Sequence, residues 1–95
     1  MTLGNKIKEL REQKELMQRE VGSIMNVDGA FISKIESGEK QISRHHLSTL
    51  SRYFNINIDE LEILWLSDKI NNIIKNEPLG SRALQQLLSN INNEH

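Results

Sequence analysis

Residues 18–38, QREVGSIMNVDGAFISKIESG, decide the fold of this chain of 95 residues. The first part of the stretch carries three apolar residues at helical spacing, Val21, Ile24 and Met25. Asn26 follows them, and Asn tolerates the left-handed backbone conformation that a tight turn between two helices requires. The pattern predicts a helix that begins at Met17 or Gln18 and ends at Met25, with the chain turning at Asn26.

A second helix follows the turn directly. Asp28 is a strong N-cap, because its carboxylate accepts hydrogen bonds from the free N–H groups of the first helical turn. Ile32 and Ile35 supply a buried face, and Gly38 stands where a helix-terminating glycine belongs. These features predict a helix over Gly29–Ser37. Two short helices joined by a tight turn form a helix-turn-helix, the unit that places its second helix in the major groove of DNA.

Gly22 lies inside the first of these two helices, where glycine costs about 1 kcal/mol relative to alanine. We expect a close contact to compensate for this cost, because a residue without a side chain lets the next helix approach closely.

Helices are also predicted on both sides of this unit, and no stretch shows the alternation typical of strands. Asn57 to Glu60 resembles a capping box. The last helix carries an apolar stripe at positions i, i+3, i+4 and i+7. The predicted helices run from Leu3 to about Lys14 with Thr2 as N-cap, from the N-cap Ser43 to about Phe54, from Asn57 to about Asn76, and from Ser81 onward.

The sequence therefore predicts an all-α protein with a helix-turn-helix domain over 1–66 and a helical C-terminal extension over 67–95. The extension has more apolar residues than a five-helix core requires: Ile70, Ile73, Ile74, Leu84, Leu87, Leu88 and Ile91. We expect it to pack against the core and to supply much of a homodimer interface. Deleting the extension should then leave a monomer or an unstable chain.

Composition excludes several classes of protein. The chain has no cysteine, so disulfides and thiolate metal sites are excluded. The start does not resemble a signal peptide, and the longest apolar run, Ile63–Leu66, is far too short to span a membrane. We expect a cytoplasmic protein that does not enter a membrane. The net charge is −1, but residues 1–57 carry +2 and residues 58–95 carry −3, so the basic excess lies with the helix-turn-helix.

Other constellations have simpler explanations than catalysis or metal binding. His45 and His46 are adjacent on a helix and point roughly 100° apart, so they do not converge on one metal ion. The carboxylates Asp59, Glu60 and Glu62 suit the positive N-terminal end of the fifth helix. The sequence predicts no enzyme, no cofactor and no metal site. Trp65 either packs in the core or anchors the extension to another subunit, and the sequence leaves both open.

Residues 5–61 resemble the Cro/repressor (XRE) family of helix-turn-helix regulators. The order and spacing of five helices agree with that family, which implies a five-helix Cro/repressor-like domain followed by the extension. The matching segments are IKELREQKEL (7–16), Gln18, the Val21-Gly22 pair, Asn26-Val27, ISKIESGEK (32–40) and FNINIDEL (54–61).

The resemblance implies roles for individual residues in binding double-stranded DNA. Base contacts would come from the start and outer face of the third helix, and phosphate contacts from the start of the second helix and the loop after the third. A pair of charged residues would tie the first helix to the third. The implied base contacts are Gly29, Ala30, Ser33 and Lys34; the phosphate contacts are Gln18, Ser37, Lys40 and Arg44; the structural ion pair is Arg11 with Glu36.

Three positions depart from the family pattern. Met17 stands where a Ser or Thr N-cap is usual, which costs about 1 kcal/mol. Gly29 and Ala30 cannot make bidentate base contacts, although Ala30 could touch a thymine methyl group and both could let the helix approach the groove closely. Glu39 places a negative charge beside the phosphate-contact loop. We therefore expect Ser33 and Lys34 to be the main direct readers, with DNA shape adding specificity.

The sequence thus predicts a transcriptional regulator, most simply a repressor, that acts as a homodimer on a palindromic operator. The homodimer is expected because one helix-turn-helix contacts too few bases for useful specificity. The alternative is an antitoxin or a restriction–modification controller whose C-terminal extension binds a protein partner.

Overall fold

The computed structural model describes residues 1–94, and these residues form six helices and no strand, which confirms the predicted all-α fold. None of the helices described is long and apolar enough to cross a bilayer. In chain order the helices are α1 (Leu3–Gln13), α2 (Gln18–Met25), α3 (Gly29–Ser37), α4 (His46–Phe54), α5 (Ile58–Ile74) and α6 (Gly80–Asn93).

The first three helices begin and end as the sequence predicts, because local caps define them. Thr2 Oγ1 accepts a hydrogen bond from Asn5 N at 3.0 Å, and the Asn5 side chain returns one to Thr2 N. Asp28 Oδ1 accepts from Phe31 N at 2.7 Å. Asn26 at φ 60° and Gly38 at φ 87° adopt the left-handed conformation that ends α2 and α3.

The predicted start of α4 is wrong. Ser43 is not an N-cap, because its carbonyl oxygen, rather than its hydroxyl, accepts a hydrogen bond from His46 N at 3.1 Å in a turn that precedes the helix. The helix begins at His46, two residues after Arg44, and no side chain caps it. The residues near Ser43 could not show that the helix begins this late, because the preceding loop is held by contacts with α5, which is distant in sequence.

The start of α5 agrees with the prediction but uses a simpler cap. The Asn57 side chain accepts a hydrogen bond from Asp59 N at 2.9 Å. Glu60 does not complete the predicted capping box, because its carboxylate lies 3.0 Å from Lys6 Nζ. That hydrogen bond to Glu60 raises the pKa of Lys6 and links α1 to α5.

Helices α1 to α5 surround one hydrophobic core. Trp65 belongs to this core, since it is only 7% exposed and its indole N–H donates to the carbonyl oxygen of Ile42 at 2.8 Å. The structure thereby decides between the two roles that the sequence left open for Trp65. The buried apolar residues are Leu3, Ile7, Leu10, Val21, Met25, Ile32, Ile35, Ile42, Leu47, Leu50, Phe54, Leu61 and Trp65.

The C-terminal extension differs from expectation. Helix α5 continues without a break through the predicted boundary at 66, and Asp68 Oδ2 accepts a hydrogen bond from Leu3 N at 3.1 Å. In contrast, every described residue after Gly80 is exposed, so the prediction that the whole extension packs against the core is wrong for a single chain. The Cα radius of gyration is 15.3 Å, against about 12 Å for a compact domain of this length, because α6 projects from the body.

Gly22 makes the close approach that its position in α2 predicts, although the neighbour is the turn and not α3 itself. A Cβ atom on Gly22 would lie 2.6 Å from the carbonyl oxygen of Val27 and 3.1 Å from the carbonyl carbon of Asp28. Both neighbours are backbone atoms, and Val27 N donates to the carbonyl oxygen of Gly22 at 2.8 Å, so the turn has little freedom to yield.

We expect Gly22→Ala to lower the free energy of unfolding by about 1–3 kcal/mol, although alanine favours helices, because the added methyl group would displace the turn. Urea unfolding followed by helical circular dichroism measures the change. Ser23→Ala is the matched control, since Ser23 is exposed in the same helix. A Gly22→Ala variant as stable as the unmodified protein would contradict this account of the turn.

Candidate nucleic-acid interface

Helix α3 has two clearly different faces. Ile32, Ile35 and Glu36 point inward and are buried. The opposite face is open, with residues at positions i, i+3, i+4 and i+7 along one side of the helix. These exposed residues are Ala30, Ser33, Lys34 and Ser37. The structure therefore brings three of the four predicted base contacts and one predicted phosphate contact onto a single surface, in which Lys34 is the only charged side chain.

Gly29, the fourth predicted base contact, is half-buried at the start of α3. A Cβ atom there would lie 3.1 Å from both the N and the Cα atoms of Arg19 in α2. The glycine therefore allows the first turn of α3 to pack against the start of α2. This contact gives Gly29 a structural role that does not involve DNA, and the sequence pattern did not predict it.

Arg11 and Glu36 form a bidentate ion pair between α1 and α3. Arg11 Nε lies 2.7 Å from Glu36 Oε2, and Arg11 Nη2 donates to Glu36 Oε1 at 3.0 Å. Arg11 Nη1 also donates to the carbonyl oxygen of Leu16 at 2.9 Å. The hydrogen bond to Glu36 raises the pKa of Arg11, so the guanidinium stays charged. Because the Glu36 side chain is only 5% exposed, loss of Arg11 would leave a buried carboxylate without its charged partner.

Gln18 joins the same network. Its side-chain nitrogen Nε2 donates to Glu36 Oε1 at 3.1 Å, so the half-buried Gln18 is held at the first turn of α2. A primary amide has two N–H groups and one carbonyl, which leaves one N–H for an outside acceptor such as a phosphate. The sequence predicted the phosphate contact and missed the bond to Glu36. The sequence contains one indication of this bond. Gln18 lies three and four residues before the buried Val21 and Gly22, so it is on the side of α2 that faces the domain.

The loop after α3 is closed by hydrogen bonds to a single carbonyl group. The carbonyl oxygen of Lys34 accepts from Glu39 N at 2.9 Å, from Lys40 N at 3.2 Å and from Ser37 Oγ at 3.0 Å. The Lys40 side chain is exposed beside this turn. The Ser37 hydroxyl already donates its proton within the helix, so it must rotate before it can donate to a phosphate oxygen.

Trp65 holds the next part of the loop against α5. Besides its bond to Ile42, its carbonyl oxygen accepts from Gln41 Nε2 at 3.1 Å. The Arg44 guanidinium lies 5.4 Å from the centre of the Trp65 ring, and Arg44 Nη2 lies 3.4 Å from Glu62 Oε2. The sequence assigned Glu62 to the helix dipole, whereas the structure shows that it also pairs with the predicted phosphate contact Arg44.

The two histidines lie next to Arg44 at the start of α4. Their ring centres are 4.1 Å apart. Burial lowers the pKa of His46, and the neighbouring His45 lowers it further, so His46 is held in its neutral form near pH 7. Among residues 1–94, no group of three or more His, Cys, Asp or Glu side chains is arranged to hold a metal ion.

Comparisons with known proteins show what the chain is similar to. A helix-turn-helix family model matches residues 7–61, more than half of the chain. The HTH-type transcriptional activator BcrR of Enterococcus faecalis is 32% identical over 75 residues, which cover 75% of this chain and 37% of BcrR. The control protein C.MunI of Mycoplasma sp is 34% identical over 59 residues, which cover 61% of this chain and 80% of C.MunI. No solved structure matches the chain.

We expect Glu36→Ala to weaken DNA binding mainly by unfolding the chain. Removing the carboxylate leaves the Arg11 guanidinium without its partner and frees Gln18, a loss of about 3–5 kcal/mol when a buried pair is broken. Thermal unfolding and DNA binding should be measured on the same preparation. Glu39→Ala is the control for stability, because Glu39 is an exposed carboxylate in the loop after α3 and its loss should leave the melting temperature unchanged. A Glu36→Ala variant of normal stability that no longer binds DNA would instead assign Glu36 a direct role in recognition.

Proposed function

Since the chain belongs to the Cro/repressor-type (XRE) helix-turn-helix family of DNA-binding transcription regulators, we propose that it is a repressor that binds a palindromic operator as a homodimer. The exposed face of α3 is the observation that supports this function best. That face is polar, is held in a fixed orientation by the buried pair at Arg11 and Glu36, and is adjacent to a loop that carries two exposed cations.

In this proposal Ser33 and Lys34 read base edges in the major groove. A lysine can donate to the O6 and N7 acceptors of guanine, and a serine hydroxyl can donate or accept. Ala30 is exposed one turn earlier and offers a methyl group to thymine. Gly29 would contribute through the close approach of its backbone. Since these side chains make few bidentate contacts, sequence-dependent DNA shape would supply the remaining specificity.

The proposed phosphate contacts surround this reading surface. Lys40 and Arg44 are exposed and supply positive charge from the loop. Gln18 would donate its second amide N–H from the first turn of α2, where the free backbone N–H groups and the helix dipole also favour an anion. Ser37 would contribute after its hydroxyl turns away from the Lys34 carbonyl. These contacts would place the protein on the duplex, and their loss would weaken binding to all sequences similarly.

A homodimer is proposed because a single helix-turn-helix reads only a few base pairs. Two copies related by a two-fold axis would place their α3 helices in successive major grooves, about 34 Å apart on one side of the DNA. The operator would then be an approximate palindrome. Repression needs nothing further, since a bound dimer that covers a promoter excludes polymerase.

Positive control through a protein partner is the second candidate. One relative is named a transcriptional activator and the other a control protein, and the chain spans 37% of the length of the first and 80% of the second. The exposed apolar residues of α6 provide a surface that a protein could bind. A reporter gene driven by the DNA upstream of the protein's own gene distinguishes the two functions, because the protein would lower its expression as a repressor and raise it as an activator.

Lys34→Ala should reduce the discrimination between operator and unrelated DNA by about 1–3 kcal/mol, since it removes a base contact. Fluorescence anisotropy across a salt series, with the DNA upstream of the protein's own gene, gives both the affinity and the salt slope. The control is Lys8→Ala, because Lys8 is an exposed lysine on α1 outside the proposed interface. Equal, weak binding of the unmodified protein to every DNA sequence would contradict sequence-specific regulation.

Glu62→Gln should strengthen binding to operator and unrelated DNA alike. It removes a carboxylate that lies 3.4 Å from Arg44 and so competes with a phosphate for the guanidinium. We expect a gain of roughly 0.5–1 kcal/mol at low salt that fades as salt rises, because the competing pair is exposed. Glu12→Gln serves as the control, since Glu12 is an exposed carboxylate on α1. Unchanged binding by Glu62→Gln would show that Arg44 does not contact DNA.

A further inference from the structure

Helix α5 has a second apolar face that nothing in the described chain covers. Leu61, Trp65 and Asp68 point toward the domain. The opposite side, which we name the α5 outer face, has apolar residues spaced by three, four and three positions, the pattern of a helix–helix seam. These residues are Ile63, Leu66, Ile70 and Ile73, and they are 40–75% exposed.

Helix α6 has a matching surface, which we name the α6 stripe. It consists of Leu84, Leu87, Leu88 and Ile91, which are 42–57% exposed. The helix cannot cover the outer face of its own α5 in this arrangement, because it turns away after Gly80. A Cβ atom on Gly80 would lie 2.7 Å from the carbonyl oxygen of Ile74, so α6 begins in close contact with the end of α5 and then projects outward.

The charge of α6 argues against a nucleic acid or an anionic membrane as its partner. No Asp, Glu, Lys or Arg occurs from residue 83 to residue 93, and the polar side of the helix carries Gln, Ser and Asn. Amphipathic helices that bind anionic lipid carry Lys and Arg on their polar side, and nucleic-acid contacts also need positive charge. An uncharged helix with an apolar stripe suits a partner surface that is itself apolar, and two copies of it do not repel each other.

We propose that the α6 stripe of one copy packs on the α5 outer face of a second copy, and that the second copy returns the same contact. The proposal rests on the homodimer proposed above and specifies how it is built. Reciprocal exchange covers both exposed surfaces of both chains with one repeated contact, as a two-fold axis requires.

The dimensions of the two surfaces agree with this exchange. The α5 outer face extends over about 15 Å and the α6 stripe over about 10 Å, at 1.5 Å per helical residue. Each chain would contribute eight large apolar side chains to the two contacts, enough for the apolar centre of a protein interface. Because the inner face of α5 also holds the loop with Arg44, this contact would fix the two reading surfaces relative to each other.

Cysteine crosslinking on the whole chain tests the exchange, since the natural sequence has no cysteine and each introduced thiol is unique. Chains with Ile70→Cys and chains with Leu87→Cys, one of them carrying a mass tag, are unfolded together, refolded and treated with a short thiol crosslinker. The exchange predicts links between position 70 of one chain and position 87 of the other. Ser89→Cys replaces Leu87→Cys as the control, because Ser89 lies on the opposite side of α6, and it should give little product.

Links only between two copies of position 70, or only between two copies of position 87, would overturn the exchange and leave the homodimer in place. A protein that sediments as a monomer would overturn both the exchange and the homodimer. The recognition surface is tested separately by the anisotropy experiment with Lys34→Ala, so a failed exchange is not confused with a failed DNA-binding function.

A charge in the α6 stripe provides a second measurement. Leu87→Asp should weaken dimerisation by about tenfold or more, since an unpaired carboxylate would be buried in an apolar contact. Ser89→Asp should leave the dimer unchanged. Folding of the domain should survive both changes, because α6 does not pack against the core, and the Trp65 fluorescence of the folded domain reports this. Dimers of equal strength in both variants would overturn the proposal.

Discussion

The buried pair between Arg11 and Glu36 is the interaction on which the orientation of α3 depends. Glu36 is the one charged residue on the inner face of α3, and its side chain is only 5% exposed, so its burial is costly without a charged, hydrogen-bonded partner. Arg11 supplies that partner from α1 and Gln18 adds a hydrogen bond from α2. Together with the buried Ile32 and Ile35, these bonds define the rotation of α3 about its axis. Ser33 and Lys34 then face outward.

Trp65 fixes the position of the loop after α3, as Glu36 helps to fix the orientation of α3. A loop has few contacts of its own, yet this one is bound twice to the same residue, through the indole N–H and the backbone carbonyl of Trp65. The ring also lies under Arg44, and Glu62, one turn before Trp65 in α5, pairs with the same guanidinium. The loop that carries the exposed cations Lys40 and Arg44 is therefore held by Trp65, a buried residue of α5. Packing of Trp65 in the core thus limits how far these cations can move relative to Lys34.

The sequence predicted those features that depend on neighbouring residues. The caps at Thr2 and Asp28 and the turn at Asn26 could be predicted because each is a contact within about four positions. Features that depend on distant partners could not. Ser43 fails as a cap because Trp65 holds the preceding loop, 22 positions away in sequence. The bond from Gln18 to Glu36 joins two helices, and the projection of α6 follows from close packing at Gly80, which no periodicity shows.

Helix α5 connects the hydrophobic core to the exposed apolar surface at the C-terminal end of the chain. Its inner side carries Leu61 and Trp65, so it forms part of the core and holds the loop that follows α3. Its 17 residues form one continuous helix, which extends well beyond the contacts that the domain makes with it.

A helix of this length bends little, so its two ends keep a fixed position relative to each other. Any partner bound to its outer face would therefore be placed at a fixed distance and angle from α3, and a second copy bound there would place a second α3 just as firmly. The apolar residues that the core leaves exposed on α5 therefore lie where the proposed dimer contact would set the spacing of two α3 helices. Binding to a palindromic site depends on that spacing.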